Sequence, residues 1–327
     1  MDLTRELQPR VDVFNKALAS FLAKGSPTAL YDAARHLPMA GGKRLRPVMS
    51  MLSCEAVGGK SSQVLPFAIA IELIHNFTLV HDDIMDSSRL RRNIPTVHIK
   101  YGHPTAIIAG DLLFAKAFEA MHELSSHDAI FKKVEYGLTQ VIREICEGQQ
   151  LDMEFEQQPV VTVDAYMEMI RKKTAVLFRC ASGGGARVGG GSSATISALE
   201  TYGEALGLAF QIQDDYLDMS SDVETLGKDI GNDIRNGKKT LIAVHSLTHA
   251  TGREKKLLQS IFGNKQASDQ DVQQVFHLFQ DLHSIDYAQK TALHHNTRAK
   301  EALERVDASK ARDILTVLAD YAIRREK

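Results

Sequence analysis

Cysteine is scarce in this chain, and what there is does not pair. Cys54, Cys146 and Cys180 are odd in number, widely spaced and without a CxxC, so neither a disulfide framework nor a zinc site is indicated. Reduced thiols in a cytoplasmic protein are the expectation. Alternating β-branched patterns are nearly absent, which argues against a sheet-based fold. Neither sign of charge is in excess: Lys and Arg number 39 against 41 Asp and Glu. No global field therefore favours nucleic acid or a membrane surface, and any anionic ligand must be held by local clusters. No uninterrupted apolar run reaches the ~20 residues that span a bilayer, so stable membrane insertion is not expected. The opening stretch, MDLTRELQPRVDVFNKALASF, is amphipathic with acids interspersed, unlike a signal peptide. A P-loop is excluded by spacing, because Gly231 and Gly237 are six apart where the motif needs five, and Lys238 is followed by lysine.

What is present is helical periodicity throughout, as in ALYDAARHL, TAIIAGDLLFAKAFEAMHEL and VEYGLTQVIREICEGQQLDMEFE. With 44% hydrophobic and 24% charged residues over 327 positions, the composition suits a large packed core. Prolines 27, 47, 95 and 104 punctuate helix boundaries. The glycine cluster SGGGARVGGGSS, residues 182–193, is expected to be an interhelical turn within one domain spanning 1–327, since composition does not change across it.

One stretch, LVHDDIMDSSRLRRNIPTVH at 79–98, ends an apolar helical run with concentrated charge. Asp82 and Asp86 lie one turn apart with Asp83 beside them, so three carboxylates are expected to converge and repel unless a hard cation intervenes. Mg²⁺ takes one or two carboxylates together with phosphate oxygens, and Arg89, Arg91 and Arg92 supply positive charge for the remainder of a phosphate group. A DDxxD alone is most often a solvated acidic face. Here it recurs in ALGLAFQIQDDYLD at 205–218, giving Asp214, Asp215 and Asp218 at the end of a second apolar helix. If the two helices pack side by side, six carboxylates can share several cations around a diphosphate.

Basic residues accompany the acids. AGGKRLRP at 40–47 sets Lys43, Arg44 and Arg46 in a glycine-led turn, and His75 lies two turns before Asp82 on the same helical face. Taken singly, the first reads as an exposed basic loop and the second as a hydrogen-bonded core histidine. RKKTAV supplies Lys172, Lys173 and Thr174; TLGKDIGNDIRNGKKT supplies Lys228, Asp233, Lys238 and Lys239. Dispersed cations beside two acidic triads suit two diphosphates, one held through metal and one held directly.

From about residue 25 onward, the ordered motifs GGKRLRP, HNFTLVHDDIMDSSRLRRNIPTVH, GDLLFAKAF, EGQQLD, KKTAVLF, FQIQDDYLD and GKDIGNDIRNGKKT resemble the trans-isoprenyl diphosphate synthases, the group containing farnesyl and geranylgeranyl diphosphate synthases. The resemblance implies an all-α isoprenoid synthase bundle of ten or more helices around a central apolar cavity, commonly a homodimer. It also implies condensation of isopentenyl diphosphate with an allylic prenyl diphosphate. Asp82, Asp83 and Asp86 with Asp214, Asp215 and Asp218 would hold three Mg²⁺ ions on the allylic diphosphate, with Arg91, Lys173, Lys228 and Lys238 completing that site. Lys43, Arg46, His75 and Arg92 match the isopentenyl diphosphate positions; Thr174 and Gln211 match residues facing the reacting carbons.

Product length turns on Phe77 and Thr78, the fifth and fourth residues before Asp82. An ideal wheel places Thr78 beneath Asp82 and Phe77 about 100° to the side, so geometry alone does not make Phe77 the floor. The resemblance does, and it points to the archaeal geranylgeranyl type. Ala115, Phe118 and Met121 on the GDLLFAKAFEAM segment are the alternative floor. A class I terpene cyclase and a non-catalytic prenyl synthase subunit are the competing functions. The first would usually lack the second DDxxD and would not need GGKRLRP; the second could lose aspartates freely.

Overall fold

In a computed structural model, the structure describes residues 2–125, 127–224 and 230–324, without the side chains of 218–224 and 230–232. Lys228 and the Asp218 side chain, both expected at the site, lie outside what is described. Among the described residues the chain is all-α apart from one minimal hairpin. In order it forms α1 (Leu3–Phe21), α2 (Thr28–Met39), α3 (Leu45–Ala56), α4 (Ser61–Met85), the hairpin strands β1 (Leu90–Arg91) and β2 (Ile94–Pro95), α5 (Val97–Tyr101), α6 (His103–His122) and α7 (Asp128–Gln157). α8 (Val163–Ile170) leads through a π-helical turn (Arg171–Ala175) into α9 (Val176–Val188) and α10 (Ser193–Glu224). α11 (Ile230–Asn236), α12 (Leu241–His249), α13 (Gly252–Ile261), α14 (Asp269–Asp281), α15 (Ser284–Leu303) and α16 (Lys310–Arg324) follow.

Contacts within the chain gather into two interleaved units. One comprises Met1–Ile142, Leu177–Glu200 and Leu303–Val317; the other comprises Arg143–Val176, Thr201–Ala302 and Leu318–Lys327. In the first unit α4 packs against α3 and α6. It is apolar nearly all round, with Phe67, Ile71, Leu73 and Ile74 buried, and such a helix belongs in a core. By length and composition alone α4 could cross a membrane, but Glu72 and His75 interrupt its apolar run and most of that stretch is buried inside the protein. The second unit has its own core, in which Tyr166, Ile212, Ile234, Val244, Val275 and Phe279 are buried.

The glycine cluster departs from expectation. Residues 182–188 continue α9, and the turn is confined to 189–192, with Gly190 at φ +85°. A Cβ on Gly185 would stand 2.1 Å from the Ser50 carbonyl oxygen, and one on Gly184 would stand 2.3 Å from the Phe67 ring. The glycines are therefore the face by which α9 approaches the α3 backbone and α4. A small-residue helix face and a flexible linker have the same composition, which is why the sequence reads as a linker.

Candidate active site

In the first unit, the loop between α2 and α3 is built on positive φ at Gly41, Gly42 and Arg44. Gly42, at φ +135°, would bring a Cβ to 3.0 Å from the Arg92 guanidinium carbon. Arg92 donates through Nη1 to the carbonyl oxygens of Gly41 and Leu37, which ties the hairpin to this loop. The hairpin turns through Arg92 and Asn93, both at positive φ, as a tight two-residue turn requires. Neighbouring arginines are thereby sent to different partners: Arg92 to the loop, and Arg91, through Nε, to Asp83 Oδ1 at 2.7 Å.

The loop's three cations have three different roles. Lys43 is exposed. Arg44 is 4% exposed and donates to Glu72, to the Pro38 carbonyl and, at 3.0 Å, to Asn15 Oδ1. It is a buried anchor for the loop. Arg46 Nη1 donates to His75 Nε2 at 3.2 Å, and its guanidinium lies 4.2 Å from the Phe178 ring centroid. An arginine has only hydrogens to offer, so His75 Nε2 carries the lone pair. Desolvation first, then the Arg46 charge, holds the His75 pKa well below its ordinary value, leaving a neutral ring that orients Arg46. His75 and the basic loop, separate in the sequence, thus form one group with Arg92.

Asp83 is buried, while Asp82 is partly exposed and Asp86 exposed. Burial raises the Asp83 pKa against the opposing pull of Arg91. Its Oδ2 is buried without a hydrogen-bond partner. Among the described residues, no three acidic, histidine or cysteine side chains gather closely enough to hold a metal ion by themselves. Of the three carboxylates expected here, Asp83 faces inward while Asp82 and Asp86 are more open. Hard oxygen donors in this arrangement, including an unsatisfied Asp83 oxygen, fit a Mg²⁺ that completes its shell with diphosphate oxygens and water.

Within the second unit, Asp215 shows the same inward placement. It is 4% exposed, and it accepts from Tyr166 Oη at 2.7 Å and from Gln211 Nε2 at 3.2 Å. Lys238 Nζ lies 3.8 Å from Asp215 Oδ1 and 3.5 Å from Asp233 Oδ2. Burial raises the Asp215 pKa, with Lys238 and the Tyr166 hydrogen bond opposing it. Asp214 is partly exposed. Thr174 Oγ1 donates to Gln211 Oε1 at 2.9 Å, and Lys173 pairs with Asp152. Thr174, Gln211, Asp215, Tyr166 and Lys238 are therefore one connected network. Tyr166, Asp152 and Phe178 were not singled out from sequence; Asp152 and Phe178 sit inside the EGQQLD and KKTAVLF motifs, whereas nothing in the sequence marks Tyr166.

Phe77 meets Phe114 edge-on at 5.4 Å and His81 at 4.8 Å, and Phe114 meets Phe118 at 5.3 Å. Thr78 turns its hydroxyl back to the His75 carbonyl at 2.8 Å. Ala115 is exposed and Met121 buried. Gly110 of the GDLLFAKAF motif leaves room for the His81 ring, since a Cβ there would stand 2.2 Å from His81 Nε2.

Helices carrying paired DDxxD motifs, with basic groups beside each, define the all-α isoprenoid synthase class. The polyprenyl synthetase family model matches residues 27–279, and the chain belongs to that family. It is 44% identical to the short chain isoprenyl diphosphate synthase of Methanothermobacter thermautotrophicus over 326 residues, covering 100% of this chain and 98% of the relative. It is 40% identical to the geranylgeranyl diphosphate synthase of Methanosarcina mazei, covering 100% and 99%. The crystal structure of geranylgeranyl pyrophosphate synthetase from Pyrococcus horikoshii superimposes with a TM-score of 0.95 at 42% identity, covering 99% of each chain. Polyprenyl synthetases generally use Mg²⁺.

Proposed function

We propose that this chain is a prenyltransferase that joins isopentenyl diphosphate head-to-tail to an allylic diphosphate, with geranylgeranyl diphosphate as its principal product and farnesyl diphosphate as intermediate or co-product. Full-length similarity to short-chain and geranylgeranyl diphosphate synthases supports this reading most, and both DDxxD motifs are retained. The basic group of Arg46, His75 and Arg92 favours it over a terpene cyclase, which has no second diphosphate to hold.

In this reading Lys43, Arg46, His75 and Arg92 bind the diphosphate of isopentenyl diphosphate directly. Without metal that diphosphate is a poor leaving group, so this substrate stays intact. The carboxylates of each DDxxD motif would hold Mg²⁺, three ions in all, at the allylic diphosphate. Bound Mg²⁺ supplies Lewis acidity that weakens the allylic C–O bond. Arg91, Lys173, Lys228 and Lys238 add positive charge where the departing diphosphate gains electrons. The C–O electron pair leaves with diphosphate, and the alkene of isopentenyl diphosphate attacks the allylic cation. A proton is then lost to the released diphosphate as the new double bond forms. Thr174 and Gln211, already hydrogen-bonded to each other, present polar atoms to the reacting carbons. Water must be kept out, because it would quench the cation to an alcohol.

Phe77 limits the product by blocking the path of the growing tail, with Thr78 beside it. A cytoplasmic homodimer is the assembly this reading carries, and light scattering of the purified chain tests it. The activity is tested by incubating the protein with Mg²⁺, isopentenyl diphosphate and dimethylallyl, geranyl or farnesyl diphosphate, then resolving product lengths. Prenyl diphosphates ending mainly at C20, lost in EDTA, are expected; no condensation with any primer would overturn the proposal.

A further inference from the structure

The EGQQLD motif, residues 147–152, has no part in the reaction as described, yet its acidic side chains and its glycine all meet the π-helical turn that carries Lys173 and Thr174. That turn holds one more residue than an α-turn would, closing with a hydrogen bond from the Val176 N–H to the Arg171 carbonyl. Such insertions are held in place by their surroundings, since the wider ring is less favourable than the α-helical one. The surroundings here are α7. Glu144 pairs with Arg171 at 2.9 Å, Glu147 pairs with Lys172 at 2.9 Å, and Asp152 pairs with Lys173. Positions 144, 148 and 152 repeat every four residues, so they lie along one face of the helix.

The middle position of that face is Gly148. A glycine inside a helix costs about 1 kcal/mol relative to alanine; this 30-residue helix has two, and where Gly137 has open space around it, Gly148 has a reason to lack a side chain. The reason is contact with backbone. A Cβ on Gly148 would stand 2.3 Å from the Lys173 nitrogen, 2.8 Å from the Lys172 carbonyl carbon and 2.8 Å from the Lys173 Cα. Ordinary van der Waals contact begins at 3.4 Å, so one side must retreat by about 1 Å, and backbone atoms have no rotamer by which to yield.

We propose that Gly148 is a positioning residue: by letting the α7 backbone touch the π-helical turn, it sets where Lys173 and Thr174 stand, while the flanking Glu144, Glu147 and Asp152 pin the turn against it. This rests on the prenyltransferase reading for the roles of Lys173 and Thr174, but the placement itself can be measured without turnover. A shift of about 1 Å in a positioned group lowers a rate by up to about 10²-fold. The isopentenyl diphosphate residues belong to other segments, so their affinity is not affected.

The test compares wild type, Gly148→Ala, and the doubly substituted Glu144→Gln/Glu147→Gln protein, which unloads the turn without steric conflict. Amide exchange by mass spectrometry and steady-state kinetics are read on each. For Gly148→Ala, kcat falls by about 10²-fold, KM for isopentenyl diphosphate stays within about twofold, and faster exchange is confined to residues 171–176. The double variant gives the same local exchange with a smaller loss of kcat. Wild-type kcat and exchange in Gly148→Ala would overturn the proposal. So would losses in both variants that follow only the folded fraction, with exchange raised across the whole second unit. Thr174→Val and Lys173→Ala keep the two ideas apart: if these leave turnover unchanged, the reading of the site fails, whereas if they abolish it and Gly148→Ala does not, the positioning role fails.

Discussion

Replacing Arg44 by methionine removes a guanidinium that is 4% exposed and leaves Glu72, 2% exposed, as a buried carboxylate without its cation. Asn15 Oδ1 and the Pro38 carbonyl lose donors in the same step. Methionine is long enough to fill the space, and Arg44 already occupies the left-handed region at φ +50°, so the backbone cost is common to both residues. The stranded charge outweighs the other losses. Removing one partner of a buried pair costs about 3–5 kcal/mol, which at ~2.1 cal/mol/K per residue over 327 residues corresponds to a fall in Tm of roughly 4–7 °C. Adding Glu72→Leu removes the stranded carboxylate and should recover much of that loss, since apolar replacement of a buried pair is often neutral or better. Urea unfolding followed by circular dichroism on the two single variants and the double variant measures the coupling. Lys43 and Arg46 flank Arg44, so KM for isopentenyl diphosphate should stay raised in the double variant even when stability returns. A destabilisation under about 1 kcal/mol in Arg44→Met, or a double variant no more stable than the single one, would refute the buried-pair account.

Lys43→Ala should raise KM for isopentenyl diphosphate more than for the allylic primer, by the roughly 1.5–3 kcal/mol of a charge-assisted contact; the reverse dependence in initial-rate kinetics would mean the two sites are exchanged. Phe77→Ala removes the ring that meets Phe114 and His81, and products resolved by chain length should shift by at least one five-carbon unit; an unchanged distribution at comparable turnover would move the floor towards Phe118. His295 is 8% exposed, and burial, then Arg298 and His294, push its pKa down to about 4. Its folded-state value lies below the unfolded one near 6.5, so the stability it contributes is present above about pH 6.5 and lost as pH falls towards 4, about 2–3 kcal/mol once solvent screening is allowed for. His295→Gln should flatten the denaturation midpoint over that window, and an unaltered slope would show that other groups set it.

The helices and the two acidic motifs were legible because each depends on spacing alone: apolar recurrence gives the helix, and DDxxD fixes two carboxylates one turn apart. What spacing does not encode is which side a residue faces once the helix is packed. Asp83 and Asp215 look equivalent to their neighbours in sequence, yet both are buried and held by side chains outside their motifs, Arg91 in the hairpin and Tyr166 on α8. Lys43, Arg44 and Arg46 form one basic turn by composition but separate into an exposed cation, a core anchor and a partner of His75. The π-helical turn was invisible because the periodic patterns on both sides run through it. The hairpin is not legible because two residues on each side leave no alternation to read, and its left-handed turn falls on Arg92 and Asn93, where glycine would be the signal.

The inward placement of the middle aspartate in both motifs bears on how such a protein would erode after gene duplication. In a copy released from catalysis, replacing the exposed Asp86 would cost folding little, because exposed charges contribute about 0–1 kcal/mol. Loss of Asp215 would instead strip Tyr166 and Gln211 of a buried acceptor, so selection for a folded chain alone would retain it, whereas Asp83, with one oxygen buried and unsatisfied, costs folding and is kept only by function. An inert descendant would therefore keep Asp215 while Asp83 and the more exposed positions drifted, and a surviving Asp215 alone would testify to architecture, not to activity.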